Sequence, residues 1–182
     1  MMKQNKEKER EKAPRCQPPR NFEPAGTVLW AEIHVNPPPF LNGVHERPRG
    51  LKAKGLRYEA NGQKYLLQRY PDKYVPSPWL RFESAHNVAS RWCQPDGLLL
   101  DIRALRLTIV EFKFKHTSNA WWQTRHLYEP VVRSLFPLIR DVRICEVVRF
   151  LDPATPFPET FNYAASIEDV ARGGFGVHIW KD

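Results

Sequence analysis

Two acids and a lysine with a chemically useful spacing lie in the stretch 93–116, CQPDGLLLDIRALRLTIVEFKFKH. Asp96 precedes an apolar run, 98–100; Glu111 and Lys113 lie near the end of a second run, 105–114. The polar turn 101–104 between them predicts a β-hairpin. In the second run Leu105, Leu107, Ile109, Glu111, Lys113 and Lys115 point one way, and Thr108, Val110, Phe112 and Phe114 the other. Glu111 and Lys113 therefore share a face with Leu107 and Ile109. Charges on a half-buried strand face are costly unless they are paired or hold a cation. Asp96, beside the turn-prone Gly97, can reach the Glu111 end of the neighbouring strand. Mg²⁺ takes hard oxygen ligands in octahedral geometry at about 2.0–2.1 Å and keeps several waters. Two carboxylates from adjacent strands hold such an ion and leave positions for a phosphate oxygen and water. Residues two apart on a strand are about 6.6–6.8 Å apart, so Lys113 would stand beside the ion and face the attacking water. The plainer reading is a hairpin with a surface Glu-Lys pair.

Pro95-Asp96 followed by Glu111-x-Lys113 on the next strand resembles the PD-(D/E)xK superfamily, the restriction-endonuclease-like nucleases. The resemblance covers roughly residues 48–151. It implies an α/β fold with a restriction-endonuclease-like core: a mixed central sheet flanked by helices, in the order helix-strand-strand-strand-helix-strand. It implies Mg²⁺, or Mn²⁺ in its place, bound by Asp96, Glu111 and a glutamate on the preceding helix, Glu59, with the Phe112 carbonyl as a further ligand. Lys113 would orient the attacking water or stabilise charge on the phosphate. Gln123 and Tyr128 resemble the Gln-containing helix motif of RecB-like nucleases and phage-type exonucleases. The usual spacing there is Gln-x-x-x-Tyr; here it is one residue longer. Lys115, His116 and Thr117 extend the strand toward the site as candidate phosphate contacts. The implied activity is hydrolysis of DNA to products carrying a 5′-phosphate, in phage or mobile-element recombination, repair or restriction, with RNA as the other polyanion and self-association left open. The competing reading is a non-catalytic nucleic-acid-binding module on the same fold. Clustered carboxylates argue against it, because they repel phosphate.

The elements that must position these residues can be read around them. Residues 27–35 form a short strand or helical turn, stopped by Pro37, Pro38 and Pro39. A helix over 47–69 starts at Pro48, with Leu51, Gly55, Tyr58, Glu59, Gly62 and Leu66 near one face. Gly55 and Gly62 weaken it by about 1 kcal/mol each against Ala, which makes sense if that face packs closely on a sheet. Residues 71–78 read as a loop, 79–82 as the first core strand, and 84–92 as an irregular link. A second helix, 119–136, is capped by Ser118 or Asn119, carries the stripe Trp121, Tyr128, Val131 and Leu135, and is kinked by Pro130. The run 142–151, apolar except for Arg143, Glu146 and Arg149, suits an interior strand. A Pro-rich loop over 152–160, a short helix over 167–171 and a last strand over 177–180 follow. The glycines at 173, 174 and 176 match no phosphate-binding loop.

Composition bounds the rest. The 182 residues, 26% charged and 42% hydrophobic, suit one folded domain over 26–182. Residues 1–25 offer little to bury and read as a disordered basic tail. A net charge of +8 favours a polyanionic partner. No apolar run has membrane-spanning length, and an odd, scattered set of cysteines, Cys16, Cys93 and Cys145, points to a reducing, cytoplasmic setting. The six histidines (His34, His45, His86, His116, His126, His178) show no zinc-site spacing in the sequence.

In the tail, seven basic residues stand against four glutamates. Removing residues 1–20 should leave the fold intact. If the tail neutralises phosphates, the slope of log K for DNA against log salt should flatten by about 0.9 for each phosphate that is no longer neutralised. An unchanged slope would make the tail a solubilising segment only.

Overall fold

The computed structural model describes residues 18–38, 40, 49–150, 156–158, 162–163 and 172–180. In chain order the elements are β1 (Val28–His34), α1 (Gly50–Arg69), β2 (Tyr74–Pro76), β3 (Trp79–Ser84), β4 (Asn87–Cys93), β5 (Gly97–Asp101) and β6 (Arg106–Lys113). Then follow α2 (Ser118–Gln123), a π-helical turn (Thr124–Tyr128), α3 (Glu129–Leu135), β7 (Asp141–Arg149) and β8 (Phe175–Trp180). The fold is mixed α/β, with a five-stranded sheet ordered β2-β5-β6-β7-β8 and a three-stranded sheet ordered β1-β3-β4.

Alternation along the β5–β6 hairpin decides what covers each side of the larger sheet. Leu98 pairs with Ile109 and Leu100 with Leu107, while Gly97 pairs with Val110 and Leu99 with Thr108. Directly opposed residues share a face. One face carries Leu98, Leu107, Ile109 and Ile144 into a core with Tyr128, Val131 and Val132 of the crossover helix, and with Leu80 and Phe82 of the smaller sheet. The other face carries Leu99, Val110, Phe112, Cys145 and Val147 into a core with Tyr58 and Leu66 of α1. Burying each such Leu, Val, Ile or Phe stabilises the fold by about 1.5–3 kcal/mol. β6 and β7 run parallel, and the crossover between them is the segment α2, π-turn, α3; the other pairs in this sheet are antiparallel.

Several sequence expectations change. Residues 79–82 are a strand, but β3 pairs with β1 and β4 in the smaller sheet. The strand beside β5 is instead β2, inside the stretch read as loop. The link 84–92 contains β4. On α1, Tyr58, Gly62 and Leu66 are buried as expected, but Leu51 is 84% exposed. Thr117, not Ser118 or Asn119, stands at the cap position of α2, without a side-chain cap bond. Pro130 lies inside a continuous helical stretch, where it lacks the N–H of an interior helix bond, and the π-turn directly before it is the irregularity in the helix. Within the span read as tail, Ala25 is buried in the core and its N–H bonds the His126 carbonyl at 2.7 Å. Arg91 donates to the carbonyls of Glu23 and Pro24. Residues 1–17, Pro39, Arg47, Pro48 and the stretches 151–155 and 164–171, with the short helix read there, lie outside the described residues. No helix among the described residues is long and apolar enough to cross a membrane.

Gly62 sets how closely α1 approaches the sheet. A Cβ there would lie 2.3 Å from Phe112 Cε1, whereas one at Gly55 would meet Phe114 at an ordinary 3.9 Å. Gly62→Ala should destabilise by about 1–3 kcal/mol, lowering the melting temperature by about 2–4 °C per kcal/mol. Gly55→Ala should raise stability by up to about 1 kcal/mol through helix propensity alone. Equal effects in thermal denaturation would mean that Gly62 is not needed for the close approach.

Candidate metal centre

Asp96 stands one residue before β5, and the pairing of Gly97 with Val110 brings it beside Glu111 across the hairpin. Its carboxylate Oδ2 accepts the Phe112 N–H at 2.7 Å. Its carbonyl is held by three donors: the Ser77 N–H at 3.1 Å, Tyr74 Oη at 3.1 Å and Gln63 Nε2 at 3.2 Å. Ser77, itself in the left-handed region at φ 39°, accepts from Gln63 Nε2 on its Oγ at 2.6 Å and from Gln94 Nε2 on its carbonyl at 2.9 Å. A Cβ on Gly97 would lie 2.3 Å from the Tyr74 side chain, so only glycine lets that phenol reach the Asp96 carbonyl. The sequence did not single out Gln63, Tyr74, Ser77 or Gln94. Gln63 was within reach, one helical turn from Glu59 on the same face.

Glu111 is 1% exposed. Lys113 Nζ pairs with its Oε1, while Oε2 is buried with no partner among the described residues. Glu59 reaches the same place from α1 and accepts Gln63 Nε2 at 3.1 Å. Burial, then the neighbouring Asp96, pushes the Glu111 carboxyl up to about 8 and the Glu59 carboxyl up to about 7. Burial also raises Asp96, against the pull of Lys113 and the Phe112 N–H. Burial opposes the charge on Lys113, but Glu111 and Asp96 outweigh it and raise the amine above its ordinary value. Carboxylates gathered in a poorly solvated place, with one carboxylate oxygen unpartnered among the described residues, form a set that a cation would stabilise. The donors are hard oxygens, the set that suits Mg²⁺ or Mn²⁺, so these residues fit such an ion.

The structure brings Asp96, Glu111, Lys113 and Glu59 together. Phe112 enters the group through its N–H, and its ring packs in the core on the α1 side. Gln123 Nε2 bonds Tyr128 Oη, and that hydroxyl donates to the Gln94 carbonyl at 2.9 Å. The five-residue separation is bridged because 124–128 form a π-turn with i→i+5 bonding. Lys115 is exposed beyond the strand end. His116 and Thr117 lie against Glu146: His116 Nδ1 meets Glu146 Oε2 at 2.5 Å, and the Thr117 N–H helps hold that carboxylate's charge. Glu146 pairs across the sheet with Glu111 on one side and His178 on the other. Its only signal in the sequence was an acid inside an apolar strand.

The raised carboxyl values have a definite consequence for stability. Unfolded carboxyls titrate near about 4.3, so between that value and about 7 for Glu59 or about 8 for Glu111 the folded state holds extra protons. Stability must fall as pH rises through this window. In EDTA the melting temperature should drop between about pH 5 and about pH 8. Mg²⁺ should recover part of the loss at the upper end and little at the lower, because cation and proton compete. Glu111→Gln should flatten the slope. A melting temperature that holds or rises with pH in EDTA would contradict the buried-acid arrangement.

No family model, curated protein or solved structure matches this chain, so an activity has to be argued from this geometry.

Proposed function

We propose that the chain is a Mg²⁺- or Mn²⁺-dependent nuclease of the PD-(D/E)xK, restriction-endonuclease-like type, hydrolysing phosphodiester bonds in DNA. The observation that carries this is the convergence of Asp96, Glu111, Glu59 and Lys113 from a hairpin and a helix. The order α1, β2, β5, β6, crossover helix, β7 follows helix-strand-strand-strand-helix-strand once the β3–β4 hairpin is taken as an insertion after β2. The π-turn supports the likeness at Gln123 and Tyr128, since it lets a Gln-Tyr pair with one extra residue act on one helix face.

Asp96, Glu111 and Glu59 would hold the ion, Glu111 through its unpartnered Oε2. A divalent cation there supplies Lewis-acid polarisation of a phosphoryl oxygen and makes water acidic enough to deliver hydroxide near neutral pH. The chain's own residues do the rest. Lys113 stays protonated, so it serves as a donor: it orients the nucleophile and balances charge gathering on the phosphate, and does not abstract a proton. The hydrogen bonds to the Asp96 carbonyl fix one ligand before substrate arrives. Tyr128 and Gln123 brace the Gln94 carbonyl two residues away. The net charge of +8 draws a polyanion toward a site whose own residues are largely acidic.

Wild type should nick DNA with Mg²⁺ or Mn²⁺ and fall silent in EDTA. Asp96→Asn should reduce cleavage at least about 100-fold, since even residues that only support a ligand cost about 10–100-fold. Binding to DNA measured in EDTA should hold or tighten, because one repelling charge is gone. Lys113→Met should cost roughly 10²–10³ in rate. A wild type that binds linear, circular and branched DNA but cuts none of them with either ion would instead make this a binding module.

A further inference from the structure

One rung of the larger sheet carries Glu111 on β6, Glu146 on β7 and His178 on β8. Glu146 is fully buried, at 0% exposure. One of its oxygens meets His116 Nδ1 at 2.5 Å. The other, Oε1, is buried without a partner among the described residues, and so is His178 Nε2. The rings of His116 and His178 stack with centroids 4.5 Å apart and planes 18° apart. One ligand-capable atom from each of His116, Glu146 and His178 lies within 4.8 Å of the other two.

We propose that His116, Glu146 and His178 form a second cation site, beside the Asp96–Glu111 centre but with ligands of its own, for a transition ion of the Zn²⁺ class. Two imidazole nitrogens and one carboxylate oxygen make a donor set that prefers such ions to Mg²⁺. Three protein ligands leave a fourth position, and the side chain of His116 is 44% exposed, so an ion can reach the group from its side. Tetrahedral coordination at about 2.0–2.1 Å brings ligand atoms to about 3.3 Å of one another. His116 can supply this closure: it sits between the end of β6 and the start of α2, while Glu146 and His178 are fixed in paired strands. The Trp180 ring, 5.9 Å from His178 and 6.2 Å from His116 by centroid, walls one side with apolar surface. The ligands stand far apart in sequence, which is why no histidine spacing announces them. A bound ion would tie β8 to the loop that opens the crossover helix. The site does not depend on the chain being a nuclease.

The test uses the full chain, stripped of metal and held in excess Mg²⁺ so that the Asp96 centre is supplied with its preferred ion. Co²⁺ is added as a spectroscopic probe and then displaced with Zn²⁺. Wild type should develop visible d–d absorption, lose it on one equivalent of Zn²⁺, and melt at a higher temperature with Zn²⁺ than without. His116→Ala, at an exposed position, and His178→Gln should each weaken Co²⁺ binding at least about tenfold, with folding checked by far-ultraviolet circular dichroism. Asp96→Asn should leave the Co²⁺ spectrum unchanged. Absence of a Co²⁺ band in wild type, a band untouched by both histidine substitutions, or a band lost in Asp96→Asn would each overturn the proposal. None of these readouts is cleavage, so the second site and the nuclease reading succeed or fail apart.

Discussion

Like charges in a dry place are the constraint from which the rest of this structure follows. Asp96 and Glu111 face each other across a hairpin whose buried residues are mostly apolar, and Glu59 approaches the same spot from α1. Left alone, the three would repel and draw in water. The chain answers with one paired amine, Lys113, one backbone donor, the Phe112 N–H, and a set of neutral polar groups that grip the Asp96 main chain. Lys113 offsets one of the three charges and the others hold the cluster's shape; the charge that remains is met by bound protons, or by a cation that would compete with them.

The scaffold limits where those carboxylates can go through two close approaches. Gly62 lets α1 settle against Phe112, which places Glu59 one turn earlier at the sheet's end. Gly97 admits the Tyr74 ring, which ties the edge strand β2 to the start of β5. At both places an absent side chain determines the position of a charged one nearby. The crossover helix seals the opposite face, with Tyr128 buried in the core while its hydroxyl reaches the Gln94 carbonyl.

The hairpin was the most legible part of the sequence, because a strand that alternates Leu107, Ile109, Glu111 against Thr108, Val110, Phe112 declares both its faces and its costly charges. The burying face of α1 could be read for the same reason, at Tyr58, Gly62 and Leu66. Sheet membership could not. Residues 79–84 alternate as a core strand should, and they do bury Leu80 and Phe82, but local periodicity carries no label for the sheet a strand will join. The three-residue β2 is too short for any period, and Pro76 disguises it as a loop. The site itself divides along the same line. Residues joined by the hairpin register were found together, whereas Glu146 and His178 meet His116 only through the pairing of β7 with β8, which is set by long-range packing.

The π-turn at 124–128 separates two ways of measuring distance along a chain. A linear pattern counts residues, and by that count Gln123 and Tyr128 are out of step. A binding site counts turns, and by that count they are neighbours, because the widened turn takes up the additional residue and returns the helix to its register before α3 begins. An extra residue absorbed in this way changes the spacing as written while the two side chains still meet. A helix that takes up one residue is thus a physical reason why a fixed-gap pattern can pass over a pair of residues that touch in the folded chain.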